Sequence, residues 1–316
     1  MQKPQKPRRI RLVILFCTGV LLVLAAVSYN SLFLARPIGE GPAGPQVDRA
    51  QFSEVWTERN ILLLGVGDSI TAGLGAKSPQ HSYFERMRVN PVDEYEDMSG
   101  SCLSHVIPNL TAKNVAVSGS TSIQHLDILS GDLLTPWDET VFGMVVVTTG
   151  GNDIIHSYGR SPPREGAMYG ATLAEATPWI ENFAQRLEQM LDKIESLFPG
   201  GCEIYLADIY DPTDGVGDAP SVFLPPWPDG LAIHAAYNER LRTAAAERSN
   251  VFSIPLHQTF LGHGSHCRQF WREHYDRQDP HYWFYDNIED PNDRGYDAIR
   301  RVFLNKIADH TQLRNR

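Results

Sequence analysis

Cysteine is scarce in this chain of 316 residues, and its count does not settle a compartment. Cys17 lies in an apolar stretch near the N-terminus. That leaves Cys102, Cys202 and Cys267 in the body, an odd number that permits at most one bridge. A bridge from Cys102 and three free buried thiols both fit. The body is also short of basic charge. Residues 1–11 hold Lys3, Lys6, Arg8, Arg9 and Arg11 and no acid, so removing them from the net −10 leaves −15. A body so acidic argues against a nucleic-acid partner, which needs a basic face to neutralise phosphates. Several catalytic and cofactor motifs are missing too. No Walker sequence, His-Glu-x-x-His or Gly-x-Ser-x-Gly is present, and Gly65-Val66-Gly67 continues to Ile70 where a dinucleotide fingerprint needs glycine. No internal repeat or low-complexity tract breaks the chain.

Charge is absent altogether from Leu12 to Ala35, 24 residues. A helix of that length reaches ~36 Å, enough to cross a hydrocarbon core of ~30 Å. The basic segment 1–11 before it predicts a cytoplasmic N-terminus and an exported body. An uncleaved anchor over 12–35 is preferred. A cleaved signal peptide is the competing reading, with Ala26-Val27-Ser28 as the small-residue site. Residues 36–59 are rich in proline and glycine and read as a linker, with a folded domain over 60–316.

The body alternates between two periodicities. Short apolar runs at Ile61–Val66, Asn114–Val117, Phe142–Thr149, Cys202–Ala207 and Val251–Pro255 predict five strands. Phe142–Thr149 is apolar nearly throughout, as a strand buried on both faces requires. Between them, helical spacing marks a helix capped by Thr177 with Pro178 in its first position, ending at Pro199-Gly200. Further helices are expected at Ile233–Arg248 and Asn292–His310. Alternating strands and helices predict a mostly parallel sheet covered on both sides, with its site beyond the carboxyl ends of the strands.

Three small-residue blocks fall at those ends. Gly67-Asp68-Ser69 leaves Ser69 on a sharp turn, where its hydroxyl can act as a nucleophile and its N–H as an oxyanion donor. Gly119 follows the second strand and offers an uncrowded N–H. Asn152, in Gly150-Gly151-Asn152-Asp153, follows the third and offers a side-chain amide. One such donor is worth ~3–4 kcal/mol of barrier. Each block alone has a bland explanation, as a turn or a helix cap.

Taken in order, these blocks resemble those of the SGNH (GDSL-type) hydrolase family, over residues 60 to 309. The resemblance implies a three-layer α/β/α sandwich around a five-stranded sheet, related in architecture to flavodoxin, and ester hydrolysis through Ser69. Gly119 and Asn152 would complete the oxyanion site, without cofactor or metal. The last block departs from the pattern. The family's Asp-x-x-His corresponds to Asn287-Ile288-Glu289-Asp290 here, followed by the expected Pro291 and Gly295.

The serine's base is therefore open. One reading takes it from the histidine-rich segment 257–292. His281 is preferred there, with Asp290 orienting it, and His263 is next. A second reading makes Asp290 the base itself, its pKa raised by burial. A third leaves a binding module without activity. His263, His266, Cys267 and His274 match no metal-ligand spacing. The expected activity is hydrolysis of a small-molecule, lipid or carbohydrate ester by an exported or membrane-anchored enzyme, with acyl transfer as an alternative. The membrane is the other expected partner, through 12–35; the oligomeric state is open.

Overall fold

The computed structural model describes residues 8–314. Its first element, α1 (Arg8–Tyr29), continues through one wide turn at Asn30–Leu34. Within the stretch Ile10–Leu34 the mean hydropathy reaches 2.7 over 18 residues, none of them buried. It is long and apolar enough to cross a membrane.

Five parallel strands form the centre: β1 (Asn60–Val66), β2 (Leu110–Asn114), β3 (Val141–Val147), β4 (Cys202–Ala207) and β5 (Val251–Ile254), in the order β2-β1-β3-β4-β5. The helices that follow α1 are α2 (Ser69–Ala72), α3 (Tyr83–Arg88), α4 (Leu103–Val106), α5 (Ser122–Ser130), α6 (Gly151–Ile155), α7 (Leu173–Leu197), α8 (Gly230–Ala246), α9 (Leu256–Phe260) and α10 (Asp293–His310). Successive strand side chains point to opposite faces, and both faces are buried. Leu63, Met144 and Tyr205 pack with Phe303 and Ile307 of α10, whereas Leu64, Val145 and Leu206 pack with Phe183 and Leu187 of α7 and Leu241 of α8. The result is a three-layer α/β/α sandwich. The strand order reverses direction between β1 and β3, and in such sheets the crevice above that point is where ligands bind.

Three elements begin elsewhere than their local signals indicate. The strand expected at Asn114–Val117 is β2, at Leu110–Asn114, paired Ile61 to Leu110 through Gly65 to Asn114. As an edge strand its side chains are largely exposed, so it carries no apolar run. The apolar Val115 and Val117 instead extend the ladder above it, their N–H groups donating to Gly65 and Gly67 at 2.8 and 2.9 Å. The long helix α7 starts five residues ahead of Pro178, because Thr172 and Glu175 form a capping box. Pro178 is tolerated inside because it leaves only the carbonyl of Ala174 without its helical donor. Helix α8 likewise starts at Gly230, not Ile233.

The stretch read as a linker is packed. Phe52 and Trp56 are buried in the core beneath α10, with Ala43 and Val47. Arg294 holds the arm from below: it donates to the carbonyls of Ile38, Gly41 and Pro42 at 3.0, 3.2 and 3.1 Å and pairs with Asp279 at 2.8 Å. Proline and glycine here leave carbonyls free for a cation to gather, so a composition typical of linkers makes a strap. Replacing Arg294 by alanine removes these bonds and leaves Asp279 half-buried without its cation. Stability in detergent should fall by about 3 kcal/mol, and limited proteolysis should open first within 37–47. Unchanged protection there would mean that the arm is held by its aromatic side chains alone.

Candidate active site

Ser69 is placed by the abrupt end of β1. Gly67 has φ +149, and a Cβ there would stand 2.3 Å from the Thr148 hydroxyl oxygen, so no other residue lets β1 turn this close to the end of β3. Asp68 then caps α2, accepting from the N–H of Ile70 at 3.1 Å. Ser69 is the first helical residue, and Gly73, with φ +90, ends the single turn. The Thr148 hydroxyl donates to Asp68 at 2.8 Å. Since that uses its one proton, the Thr71 hydroxyl donates to Thr148 at 2.8 Å, and Tyr83 donates to Thr71 at 2.7 Å.

Asn152 lies in the first turn of α6, after Gly150 at φ +93. Its Nδ2 donates to the Ser120 carbonyl at 2.9 Å, which leaves its second amide hydrogen for a ligand. Gly119 directly precedes Ser120. It has φ +79, and nothing comes within 4 Å of where a Cβ would stand, so the backbone is uncrowded on that side. Neither its N–H nor the N–H of Ser69 has an internal acceptor among the described residues. The loop is held from behind by residues with no sequence signature of their own. Ser120 pairs with His125 at 2.7 Å, and His125 with Thr149 at 2.8 Å. Burial drops the His125 pKa to about 4, so it stays neutral. Asp153 accepts from the N–H and hydroxyl of Ser122 at 2.8 and 2.5 Å, tying α5 to α6.

The divergent block reaches the serine. Asn292 caps α10, accepting from the N–H groups of Arg294 and Gly295, and the preceding Pro291 pairs with Phe284. This brings Asp290 close to the Ser69 side chain. Its Oδ2 accepts from Asn287 at 2.5 Å, while its Oδ1 is buried with no hydrogen-bond partner. The Ser69 hydroxyl is near enough to steady this carboxylate, though it does not close a bond of ordinary geometry. Burial raises the Asp290 pKa, against the donors Ser69 and Asn287. Burial also raises Asp68 to about 6, opposed by Thr148 and Ile70 and reinforced by the charge of Asp290. Glu289 is raised in the same way; its carboxylate accepts from Tyr158, and its backbone carbonyl from Tyr210 at 2.5 Å.

The histidines of 257–292 are elsewhere. His281 pairs with Asp279 at 2.5 Å and packs on Gly39 of the arm. His263 stacks on Trp283 with centroids 3.4 Å apart, and its Nδ1–H donates to the carbonyl of His281 at 3.2 Å. Both line a polar hollow beneath the arm, and neither lines the cavity at Ser69. His266 is buried against Asp218 and the Thr213 carbonyl. No cluster of three potential ligands among the described residues could hold a metal, and all four cysteines are free.

The cavity beside Ser69 has a volume of about 140 Å³. Asp68, Asn152 and Glu289 supply its polar end. Its walls are apolar, with Ile154, Ile155, Ile209, Val222, Leu224 and Trp227 prominent. His234 also lines it, but its Nε2 is engaged with the carbonyl of Ile209 at 2.8 Å and burial lowers its pKa. Glu289 and the segment Ile209–Thr213 carried no motif. Their only signal was position, after a strand or beside the divergent block.

Ser69 at the end of β1, the Asn152 amide at the end of β3 and the last block at α10 are thus gathered at one point. The profile of the GDSL-like Lipase/Acylhydrolase family matches residues 66–298, most of the chain and all of these blocks. The chain belongs to this family. It is a GDSL-type hydrolase that acts on ester bonds. Among solved structures it is similar to the lipase Lip_vut3 from goat rumen metagenome, at 18% identity and a TM-score of 0.51, covering 80% of this chain and 99% of that one. It is also similar to a catalytic mutant of Axe2, an acetylxylan esterase from Geobacillus stearothermophilus, at 15% identity and a TM-score of 0.50, covering 79% and 95%. At such identities the likeness is one of fold. Comparison with curated proteins finds no match.

The raised pKa of Asp68 has a stability consequence of definite sign. An unfolded aspartate titrates near ~3.9. Between that value and about 6, the folded protein holds a proton the unfolded chain releases. Stability is therefore lost as pH rises through this window, and the full cost of the buried charge is present above it. Asn at position 68 accepts the same two hydrogen bonds without the charge. Asp68→Asn should raise stability by about 3 kcal/mol at pH ~8 and by nothing at pH ~3.5. Thermal melts at both pH values check this; an equal shift at both would refute it.

Proposed function

We propose that this protein is an exported, membrane-anchored serine esterase in which Asp290 itself is the general base. The observation that carries this reading is the buried, unpartnered Oδ1 of Asp290 beside the Ser69 hydroxyl, with Oδ2 held by Asn287. Ser69 Oγ attacks the ester carbonyl carbon as its proton passes to Asp290. The carbonyl oxygen becomes an oxyanion and accepts from the N–H groups of Ser69 and Gly119 and from Asn152 Nδ2. When the intermediate collapses, the alcohol leaves with the proton from Asp290, and Ser69 is acylated. Water then attacks the acyl-enzyme, gives its proton to Asp290, and the acid departs as Ser69 recovers its hydrogen. Asn287 keeps one carboxylate oxygen fixed, so the other is presented to the serine. This is the orienting part played by an aspartate toward histidine in a serine triad. A carboxylate of ordinary pKa is a weak base for an alcohol. Burial raises its basicity and thus its fitness for the task.

The cavity favours an uncharged acyl chain. A dry apolar cavity of ~150 Å³ accommodates a guest of benzene's size, so roughly six carbons fit within the walls named above. Asp68, Glu289 and Asp290 together disfavour an anionic group near the reacting carbonyl. The reading is therefore closer to a lipase-like esterase than to a deacetylase of sugars. The basic residues of segment 1–11, ahead of the uncharged run from Leu12, support an orientation with the catalytic domain outside the cytoplasm.

Ser69→Ala should abolish hydrolysis of p-nitrophenyl hexanoate. Asp290→Asn should lower turnover ~10²–10⁴-fold, whereas His281→Ala and His263→Ala should leave it nearly intact. The rate of the parent should fall as pH drops through the raised pKa of Asp290, because only the carboxylate accepts the proton. Full turnover in Asp290→Asn, or its loss in either histidine variant, would place the base elsewhere. The double replacement Asn287→Asp with Asp290→His restores the family's usual pair and should retain activity that either single change loses.

A further inference from the structure

We infer that the face of the catalytic domain carrying Phe223, Phe270 and Trp271 docks onto the outer leaflet of the bilayer that α1 enters, and that esters reach Ser69 from within that leaflet. The inference rests on the reading above, in which α1 remains an anchor and Ser69 hydrolyses esters.

Three large rings lie open on this face: Phe223 is 84% exposed, Phe270 66% and Trp271 48%. They come from segments nearly 50 residues apart, yet both segments meet the end of the apolar stretch. Phe33, in its final turn, contacts Trp271 with centroids 5.8 Å apart, and Phe270 packs edge-on to Trp271 at 4.9 Å. Arg36, two residues past that stretch, lies over the ring of Phe223 at 5.3 Å and donates to the carbonyl of Ser221. If Ile10–Leu34 spans a bilayer, rings in contact with its last turn lie at the level of the headgroups. Aromatic side chains with a neighbouring cation are enriched there. Gathered exposed rings of this kind mark an interaction surface, since monomers seldom leave them to water. Continuity with the span makes lipid the occupant.

The backbone at Phe223 points the same way. Its φ of +63 puts a bulky residue in the left-handed region, where only a specific constraint normally holds one. The consequence is that Phe223 turns outward while its neighbours Val222 and Leu224 both turn inward and line the cavity beside Ser69. The same short loop thus forms a wall of the acyl cavity and a contact with α1. A neutral ester dissolved among lipid chains would meet the cavity where this loop is seated, without first crossing water.

The full chain, reconstituted through α1 into phosphatidylcholine vesicles, tests this directly. Doping the vesicles with dibromo-phosphatidylcholine should quench tryptophan emission, and Trp271→Phe should remove most of that quenching, because the other five of the six tryptophans are buried or half-buried. Phe223→Ser combined with Phe270→Ser should reduce hydrolysis of dioctanoylglycerol carried in the vesicles about tenfold, with hydrolysis of soluble p-nitrophenyl butyrate unchanged. Quenching that survives Trp271→Phe overturns the inference, as does equal loss on both substrates. Cross-linking between two copies through this face, without lipid quenching, would assign the face to a second copy and also overturn it. Ser69→Ala separates the two readings: it removes hydrolysis of both esters and leaves the quenching. A parent quenched by bromolipid yet inactive on both esters would sink the esterase reading and leave the docking face standing.

Discussion

The hydroxyl of Thr148 is the joint on which the site is assembled. It stands one residue beyond β3 and donates across the sheet to Asp68, one residue beyond Gly67. Through Thr71 it also reaches Tyr83 of α3. Two strands that are neighbours by hydrogen bonding are thereby made neighbours in chemistry. The turn that carries Ser69 and the turn that carries Asn152 are fixed to the same atom. Gly67 is the geometric counterpart: any Cβ there would collide with this hydroxyl. The reversal of strand order between β1 and β3 opens the crevice, and the threonine sets its width.

Within that crevice the governing fact is a surplus of carboxylates. Asp68, Glu289 and Asp290 all have pKa values raised chiefly by burial, and Asp290 raises both of the others through its charge. Groups coupled in this way do not all ionise together. Each has a different donor to lean on: Asp68 has Thr148 and Ile70, Glu289 has Tyr158, and Asp290 has Asn287. What singles out Asp290 is the oxygen that has nothing. A buried acceptor without a donor costs stability, and the cost is relieved when a proton arrives there. The hydroxyl that lies beside this oxygen is that of Ser69. The same electrostatics that would weaken an exposed aspartate as a base thus strengthen this one.

Much of this was legible in sequence, and the failures have physical causes. β1, β3 and β4 are buried on both faces and announce themselves as apolar runs. β2 is an edge strand and does not, so the nearest apolar residues, Val115 and Val117, drew the expectation four residues too far along. The start of α7 was hidden because Pro178 is a stronger local signal than a Thr-x-x-Glu pair, although the capping box decides. The arm 36–59 was misread because composition reports flexibility in isolation, whereas Arg294, some 250 residues away, gathers its carbonyls. The preference for His281 had the same origin. Histidines crowd 257–292, but Asp279 and the arm hold His281, and Trp283 holds His263. Chemistry counted along the chain could not say which residue the cap of α10 would carry to the serine. The helix that this cap begins, expected at Asn292–His310, was itself plain in the sequence.

The arm bears on function as well as on stability. A flexible tether would let the domain turn freely relative to α1, and the cavity would then sample every orientation. Here the chain leaves α1 and is engaged at once: Arg36 by Ser221, Phe223 and Tyr282, Pro37 by the N–H of Tyr282, then Ile38, Gly41 and Pro42 by Arg294. Tyr282 and Arg294 flank the block that positions Asp290. The residues that hold the arm and those that bring Asp290 toward Ser69 therefore belong to one packed unit. Orientation of the cavity and assembly of the site are coupled, because loosening the arm from Arg294 disturbs the first turn of α10, and with it the loop that ends in Asp290.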